Sequence, residues 1–424
     1  MAKETGTLSQ KIESETHWHL AMIPLFMAIG NPGLIVTLVA LSRGASVAEV
    51  GVIGSIASAS SFAFSMIWGR LSDASSQRKV YLLYFMIILA PLFTVLSIVN
   101  TIPQITLMYT LVVAISSGVT PIGIMYTVEC CKGKNWPNQV ARFNSIISVG
   151  NIIGLLLFTL AAKYVETQPL FTISSFCCLL SAILIMMLGH EPQVSLERQP
   201  FYSKILHDIE GIIQPKAIIH TLDIRRLQLP KSLKRLTPIQ LLLITAFVHW
   251  TGICIYSVGM TPLMKDLGLS DSLIFALNVG NSIAAAAAFT WLAPRIKAHL
   301  SNITRLITIR AILVLCWAPL PFLIGNPPSY VFAIPLLISV TINACYAILW
   351  LPLVNLAISQ APEDHKSSVI GQLMAATSIA GAIGSGLGGF LITGFGYTVG
   401  FVVASTIMLI SIPIVHRIKV FDSL

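Results

Sequence analysis

The chain has 424 residues, of which 55% are hydrophobic and only 10% charged, and its formal net charge is +9. Soluble domains carry about 25% charged residues, so a water-soluble multidomain enzyme is excluded. Disorder is excluded as well, because it requires few apolar residues and much charge. With a mean hydropathy of +0.83, the chain reads as a helical protein that threads a bilayer many times.

A crossing helix needs about 20 largely apolar residues. The sequence supplies twelve such stretches, at 18–41, 47–69, 79–99, 104–127, 142–164, 169–189, 238–262, 272–294, 306–325, 330–357, 367–393 and 397–416. A polar stretch, 190–236, separates the first six from the last six. The predicted organisation is a cytoplasmic segment 1–17, a six-helix half 18–189, a linker 190–236, a second half 237–418 and a tail 419–424. The runs are apolar all round, which is not the alternation of barrel strands. The first run is too long for a cleaved signal peptide.

Taken in order, span one contains Asn31-Pro32-Gly33, which should loosen it because Pro and Gly break the backbone ladder. Span two ends in Gly69-Arg70-Leu71-Ser72-Asp73-Ala74-Ser75-Ser76-Gln77-Arg78-Lys79. Span four carries Ser116, Ser117 and Thr120 and ends at Glu129. Span five is polar at Asn144 and Ser145, then has Gly150 and Gly154. In the linker, Ile205, Leu206, Ile209, Ile212 and Ile213 fall at helical spacing, which predicts a helix lying on the membrane surface. Span seven has His249, Trp250 and Tyr256, and span ten has Asn343, Tyr346 and Trp350. Span eleven repeats the pattern of span five with Gly381, Gly384, Gly386, Gly388 and Gly389. Glycines so spaced let helix backbones approach closely, as packing alone or as a sliding interface between the two halves.

Lys and Arg decide orientation. With both termini placed in the cytoplasm, 23 of the 26 basic residues fall on that side, Arg310 among them, and only Arg43, Lys163 and Lys265 on the other. The positive charge therefore reports topology and contact with anionic lipid heads, and no nucleic acid is expected. Cys130, Cys131, Cys177, Cys178, Cys254, Cys316 and Cys345 lack metal-ligand spacing. The chain has no His-Glu-x-x-His, no Gly-x-Ser-x-Gly and no phosphate loop, so neither an enzyme nor a cofactor is expected.

The segment Gly69–Lys79 resembles the loop signature of the major facilitator superfamily, G-x-L-(small)-D-(basic)-x-G-(basic)-(basic). Gly69, Leu71, Ser72, Asp73, Arg78 and Lys79 fit it, whereas Ala74, Ser76 and Gln77 depart from it. The resemblance implies an all-α fold of two six-helix halves, both termini cytoplasmic, working by alternating access. It implies a cytoplasmic gate at Gly69, Asp73, Arg78, Lys79 and Glu129; Asp73, Arg78 and Glu129 are expected to form a cluster that holds that side shut, the alternative being three separate solvated loop charges. It also places spans one, four, seven and ten around a central cavity. The candidates there are Asn31, Ser117, Thr120, His249, Trp250, Tyr256, Asn343, Tyr346 and Trp350.

No Asp or Glu lies mid-span, and His249 reads as the only deep titratable side chain, which leaves it as a proton carrier, a neutral hydrogen-bonding cavity residue or a packing residue. With no cation assigned to mid-depth, the expected cargo is a small neutral or amphipathic organic solute. The family supplies export from the cell as the direction, and a proton as the candidate coupling ion. The expected form is a monomer in the cell membrane, surrounded by lipid. The rivals are a lipid or glycolipid flippase and a non-transporting receptor or scaffold of the same fold.

Overall fold

The computed structural model describes residues 17–75, 77–130, 136–189, 236–292, 295, 300–325, 327–328, 330–359 and 366–422. The predicted surface helix in the linker falls outside them. In lipid every backbone N–H and C=O must be satisfied within its own segment, so the apolar runs fold as helices. The first half contains α1 (Met22–Ile29), α2 (Pro32–Ser42), α3 (Val47–Ser75), α4 (Arg78–Leu96), α5 (Ile102–Ser116), α6 (Val119–Cys130), α7 (Trp136–Ala161) and α8 (Leu170–Leu188). The second contains α9 (Pro238–Asp266), α10 (Asp271–Ala287), α11 (Leu300–Leu315), α12 (Ala333–Ser359) and α13 (Lys366–Asp422).

Among the described residues, 11 helical runs are long and apolar enough to cross a membrane. The last of these, Gly371–Ile418, has 48 residues and would measure about 72 Å if straight. It doubles back at Gly396, whose φ of 85° and ψ of 166° leave the helix, and Ile392 meets Gly400 across the turn. A side chain at that φ is strained. The first crossing breaks between α1 and α2, where Asn31 has φ −141° and ψ 35° and Pro32 opens the next helix. A second break, at Ser117–Gly118 between α5 and α6, has no counterpart in the expectations.

Glycines set how the helices meet. A Cβ on Gly154 of α7 would lie 2.6 Å from the Met27 carbonyl of α1. In the second half, a Cβ on Gly384 of α13 would lie 2.6 Å from the Thr251 carbonyl of α9. These contacts are internal to each half and correspond to each other. Other positions on α13 cross between halves. A Cβ on Gly389 would lie 2.8 Å from the Val47 carbonyl and 2.9 Å from the Gly51 Cα, both on α3. The glycine pattern of spans five and eleven thus serves two purposes, and only part of it faces the opposite half.

The cross-half contacts gather at one end of the bundle. There the Ser55 hydroxyl donates to the Ala382 carbonyl, Phe158 packs on Phe275, and the Ser272 hydroxyl donates to the Thr159 carbonyl at 2.7 Å. The Thr167 hydroxyl donates to the Asp271 carboxylate, which also pairs with Lys265 at 2.8 Å. Within the halves at the same end, Arg43 donates to Gln168 at 2.6 Å and Tyr397 donates to Asp266 at 2.6 Å. The larger apolar cluster runs through both halves. The smaller one, from Leu236 to Ile418, belongs to the second half alone. Toward the opposite end Met125, Trp291, Gln372 and Met374 are exposed, and among the described residues the cross-half contacts given above lie away from it.

Candidate functional site

Arg310 overturns one expectation. The apolar run of span nine starts at 306, four residues before it, which groups Arg310 with the cytoplasmic basic residues. The helix starts at Leu300 instead. That sets Arg310 ten residues in, about 15 Å along the axis and near the middle of a hydrocarbon layer about 30 Å thick. Arg305 and Arg310 lower the local hydropathy and push the apparent start of the span past its real one. Arg310 is also 3% exposed. The interior therefore does hold a cation, and His249 is not its only ionisable group. One signal was available in the sequence: Ile309-Arg310-Ala311-Ile312 is an arginine set inside an apolar run.

His249 lies eleven residues in from the start of α9, at matching depth, and is 1% exposed. Arg310 Nη1 and His249 Nε2 are 2.8 Å apart. Arginine only donates, so Nε2 accepts and the imidazole hydrogen sits on Nδ1. The guanidinium carbon is 6.0 Å from the Trp250 ring centroid and 5.6 Å from that of Tyr346. Trp250 also meets Trp350 at 5.1 Å and Tyr346 at 5.8 Å, and Phe289 meets Tyr346 edge-on at 5.8 Å. The four rings are half-buried and come from α9, α12 and the helical stretch Ala288–Leu292. Aromatic faces attract a cation by about 0.5–2 kcal/mol each. An unpaired buried ion costs several kcal/mol, so the rings offset only part of it. Arg310 Nε and His249 Nδ1 are buried and have no hydrogen-bond partner.

The remaining cavity candidates separate. His249, Trp250, Tyr346 and Trp350 form one cluster. Tyr256 stands apart, 4% exposed, its ring packed on Trp317 and Phe401 and its hydroxyl donating to the Met260 sulfur at 3.2 Å. Its ring packs with α13 and the end of α11 and not on the Trp250, Tyr346 and Trp350 rings. Ser116 and Ser117 donate to the carbonyls of Val113 and Ala114 at 3.3 and 2.8 Å, which finishes α5 at its break. Thr120 is exposed, and Asn31 is half-buried at the break in the first crossing. Asn343 donates to the Ser339 carbonyl one turn back at 2.9 Å. A cavity of about 170 Å³ between the halves is lined by Gly33, Thr37, Gly54, Tyr109 and Ser257.

Of the gate residues, Gly69 and Asp73 lie on α3 and Glu129 on α6, and the side chains of Asp73 and Glu129 lie outside the described residues. Arg78 is 1% exposed. Lys79 donates to the Gly189 carbonyl at 2.7 Å, which ties the start of α4 to the end of α8 within one half. Among the described residues no group of His, Cys, Asp and Glu is placed to hold a metal ion.

The model of the Major Facilitator Superfamily matches residues 19–385. No curated protein matches the sequence. Solved structures that resemble the chain include the human organic anion transporter MFSD10 (TETRAN), 16% identical with a TM-score of 0.61, covering 96% of this chain and 99% of that one. A mutant form of the nucleoside transporter NupG is 13% identical, with a TM-score of 0.66 and coverage of 96% and 97%. A POT family transporter in complex with 5-aminolevulinic acid is 14% identical, with a TM-score of 0.69 and coverage of 94% and 95%. At these identities the likeness is one of fold.

Proposed function

Because the chain belongs to the major facilitator superfamily, we propose that it is a carrier that moves a small organic solute across the cell membrane by alternating access. The observation that carries this reading is the one-ended closure. Among the described residues the halves meet through Gly51–Gly389, Phe158–Phe275 and Thr167–Asp271, all to one side of an aromatic cluster at mid-depth. Two halves that pack as units and rock about a central site are how such carriers expose that site to each side in turn. In our reading the reversal at Gly396 makes twelve crossings, the termini are cytoplasmic, and the open end faces the cytoplasm. Gly69, Asp73, Arg78, Lys79 and Glu129 then close that end in the opposite state. The amphipathic character of the solute is kept from the sequence reading. Its neutrality loses its premise with Arg310. The family resemblance supplies export as the direction.

The test is a thermal-shift screen of the purified chain against solute classes, followed by counterflow of each hit in proteoliposomes. A ligand bound only by the folded state stabilises it by about 2.7 kcal/mol at a hundred times its dissociation constant. Stabilising solutes that never exchange across the membrane would refute the carrier. One observation favours the flippase reading: an apolar groove of about 460 Å³ beside α3 and α5, lined by Val52, Ile56, Ile102, Pro103 and Leu107 among others. Protein-dependent flipping of a labelled phospholipid, with no solute exchange, would select it.

A further inference from the structure

We propose that the solute is an organic carboxylate with a flat apolar body, whose carboxylate is received by Arg310 beside His249 and whose body lies against Trp250, Tyr346, Trp350 and Phe289. This rests on the carrier reading and adds the substrate class to it.

Three observations converge. The first is charge. Arg310 is buried at mid-depth and cannot shed its proton in a protein. Among the residues whose side chains are described, the acids are Glu49, Glu166, Asp266 and Asp271, and all four stand at or near the closed end. Asp271 is already engaged there by Lys265 and Thr167. The second is valence. The two unfilled atoms are Arg310 Nε and His249 Nδ1. Since Nε2 of His249 accepts from Arg310, both unfilled atoms are donors, and what is missing is an acceptor. Water can fill a donor's valence but leaves the charge unbalanced. A carboxylate does both, and two parallel N–H···O bonds are the geometry in which guanidinium holds it best. The third is shape. The guanidinium lies beside two rings that touch each other, with two more adjoining them. Half-buried aromatic faces favour a flat apolar partner over a compact hydrated one.

Benzoate, benzamide and benzylamine present one ring with an anionic, a neutral and a cationic group. We expect benzoate to quench the tryptophan fluorescence of the purified full-length chain, and to bind at least about tenfold more tightly than benzamide, as a charge-assisted hydrogen bond requires. Acetate should bind more weakly than benzoate. Arg310→Gln should abolish the preference for benzoate. Arg310→Lys should keep part of it, since lysine retains the charge without the planar fork. The comparison among ligands uses the unsubstituted chain, so it stands even if a variant does not fold. Equal binding of the three aromatic ligands, binding of none, or tighter binding of benzamide overturns the inference. Acetate binding as tightly as benzoate overturns the flat-body half of it. Counterflow separates this inference from the carrier reading. A benzoate preference without benzoate counterflow refutes the carrier, and counterflow of benzamide but not benzoate refutes the anion site alone.

Discussion

At the level of single residues, the interior of the second half is organised around Arg310. Its Nη1 needs an acceptor, and His249 Nε2 provides it at 2.8 Å. His249→Gln should be tolerated, because a glutamine carbonyl can accept the same bond. His249→Ala leaves a buried donor unfilled and should cost about 1–3 kcal/mol, read as a lower melting temperature of the purified protein. The same bond bears on proton coupling. A second proton on His249 would set two cations 2.8 Å apart, with no described acid beside them. We therefore expect solute uptake by His249→Gln to keep the wild-type pH dependence between about pH 6 and pH 8, the range in which a histidine carrier would titrate. A flattened profile would restore His249 as the carrier. Most members of this cluster were visible as residue types in the sequence. Arg310 was visible as an arginine inside an apolar run, but its depth was not legible, because that depends on a helix start that two arginines disguise.

At the level of elements, α13 shows how a run of small residues is divided among neighbours. Gly384 and Gly388 let α9 approach, whereas Gly381, Gly386 and Gly389 face α3. Gly389→Val should push the halves apart at the closed end and destabilise the protein by about 1–3 kcal/mol, with solute exchange lost. Gly371 sits in the same helix with nothing within 4 Å of its missing Cβ. Gly371→Ala should be neutral or raise stability by up to about 1 kcal/mol through helix propensity. Thermal melts of the two variants test the assignment, and equal effects would contradict it. The periodicity of these glycines was legible in the sequence. Which glycine meets which helix was not, since that depends on how α13 is rotated about its axis.

At the level of the whole molecule, the closed end is held by few polar links. Lys265 and Thr167 both engage Asp271. The Lys265 pair lies within the second half and survives opening, so of the two only the Thr167 bond links the halves, and it contributes about 1 kcal/mol. Asp271→Ala should therefore shift the balance toward opening of this end by about fivefold. Spin labels at the exposed positions Tyr164 and Phe395, on opposite halves, would report a longer distance population. An unchanged distribution would remove Asp271 from the closure. Orientation is testable at the same scale. A membrane-impermeant thiol reagent should label a cysteine placed at Tyr164 in whole cells and spare one placed in the linker 190–236.

The sequence by itself determined that the chain is helical, that it crosses a membrane repeatedly in two groups, and that it resembles the superfamily to which it belongs. These properties are local. Each segment partitions into lipid by its own apolar content, and the loop signature is contiguous. Even the break at Asn31-Pro32 is local, since proline removes a donor within its own turn. Which end is closed, which glycines face the other half, why Tyr256 leaves the cluster and where Arg310 points were decided only by tertiary structure. Each depends on contacts between residues tens to hundreds of positions apart: α9 supplies His249 and Trp250, α11 supplies Arg310 and α12 supplies Tyr346 and Trp350. Only packing makes one mid-depth site of them, because a charge in a bilayer is tolerated where its neighbours converge on it and not where its own sequence places it.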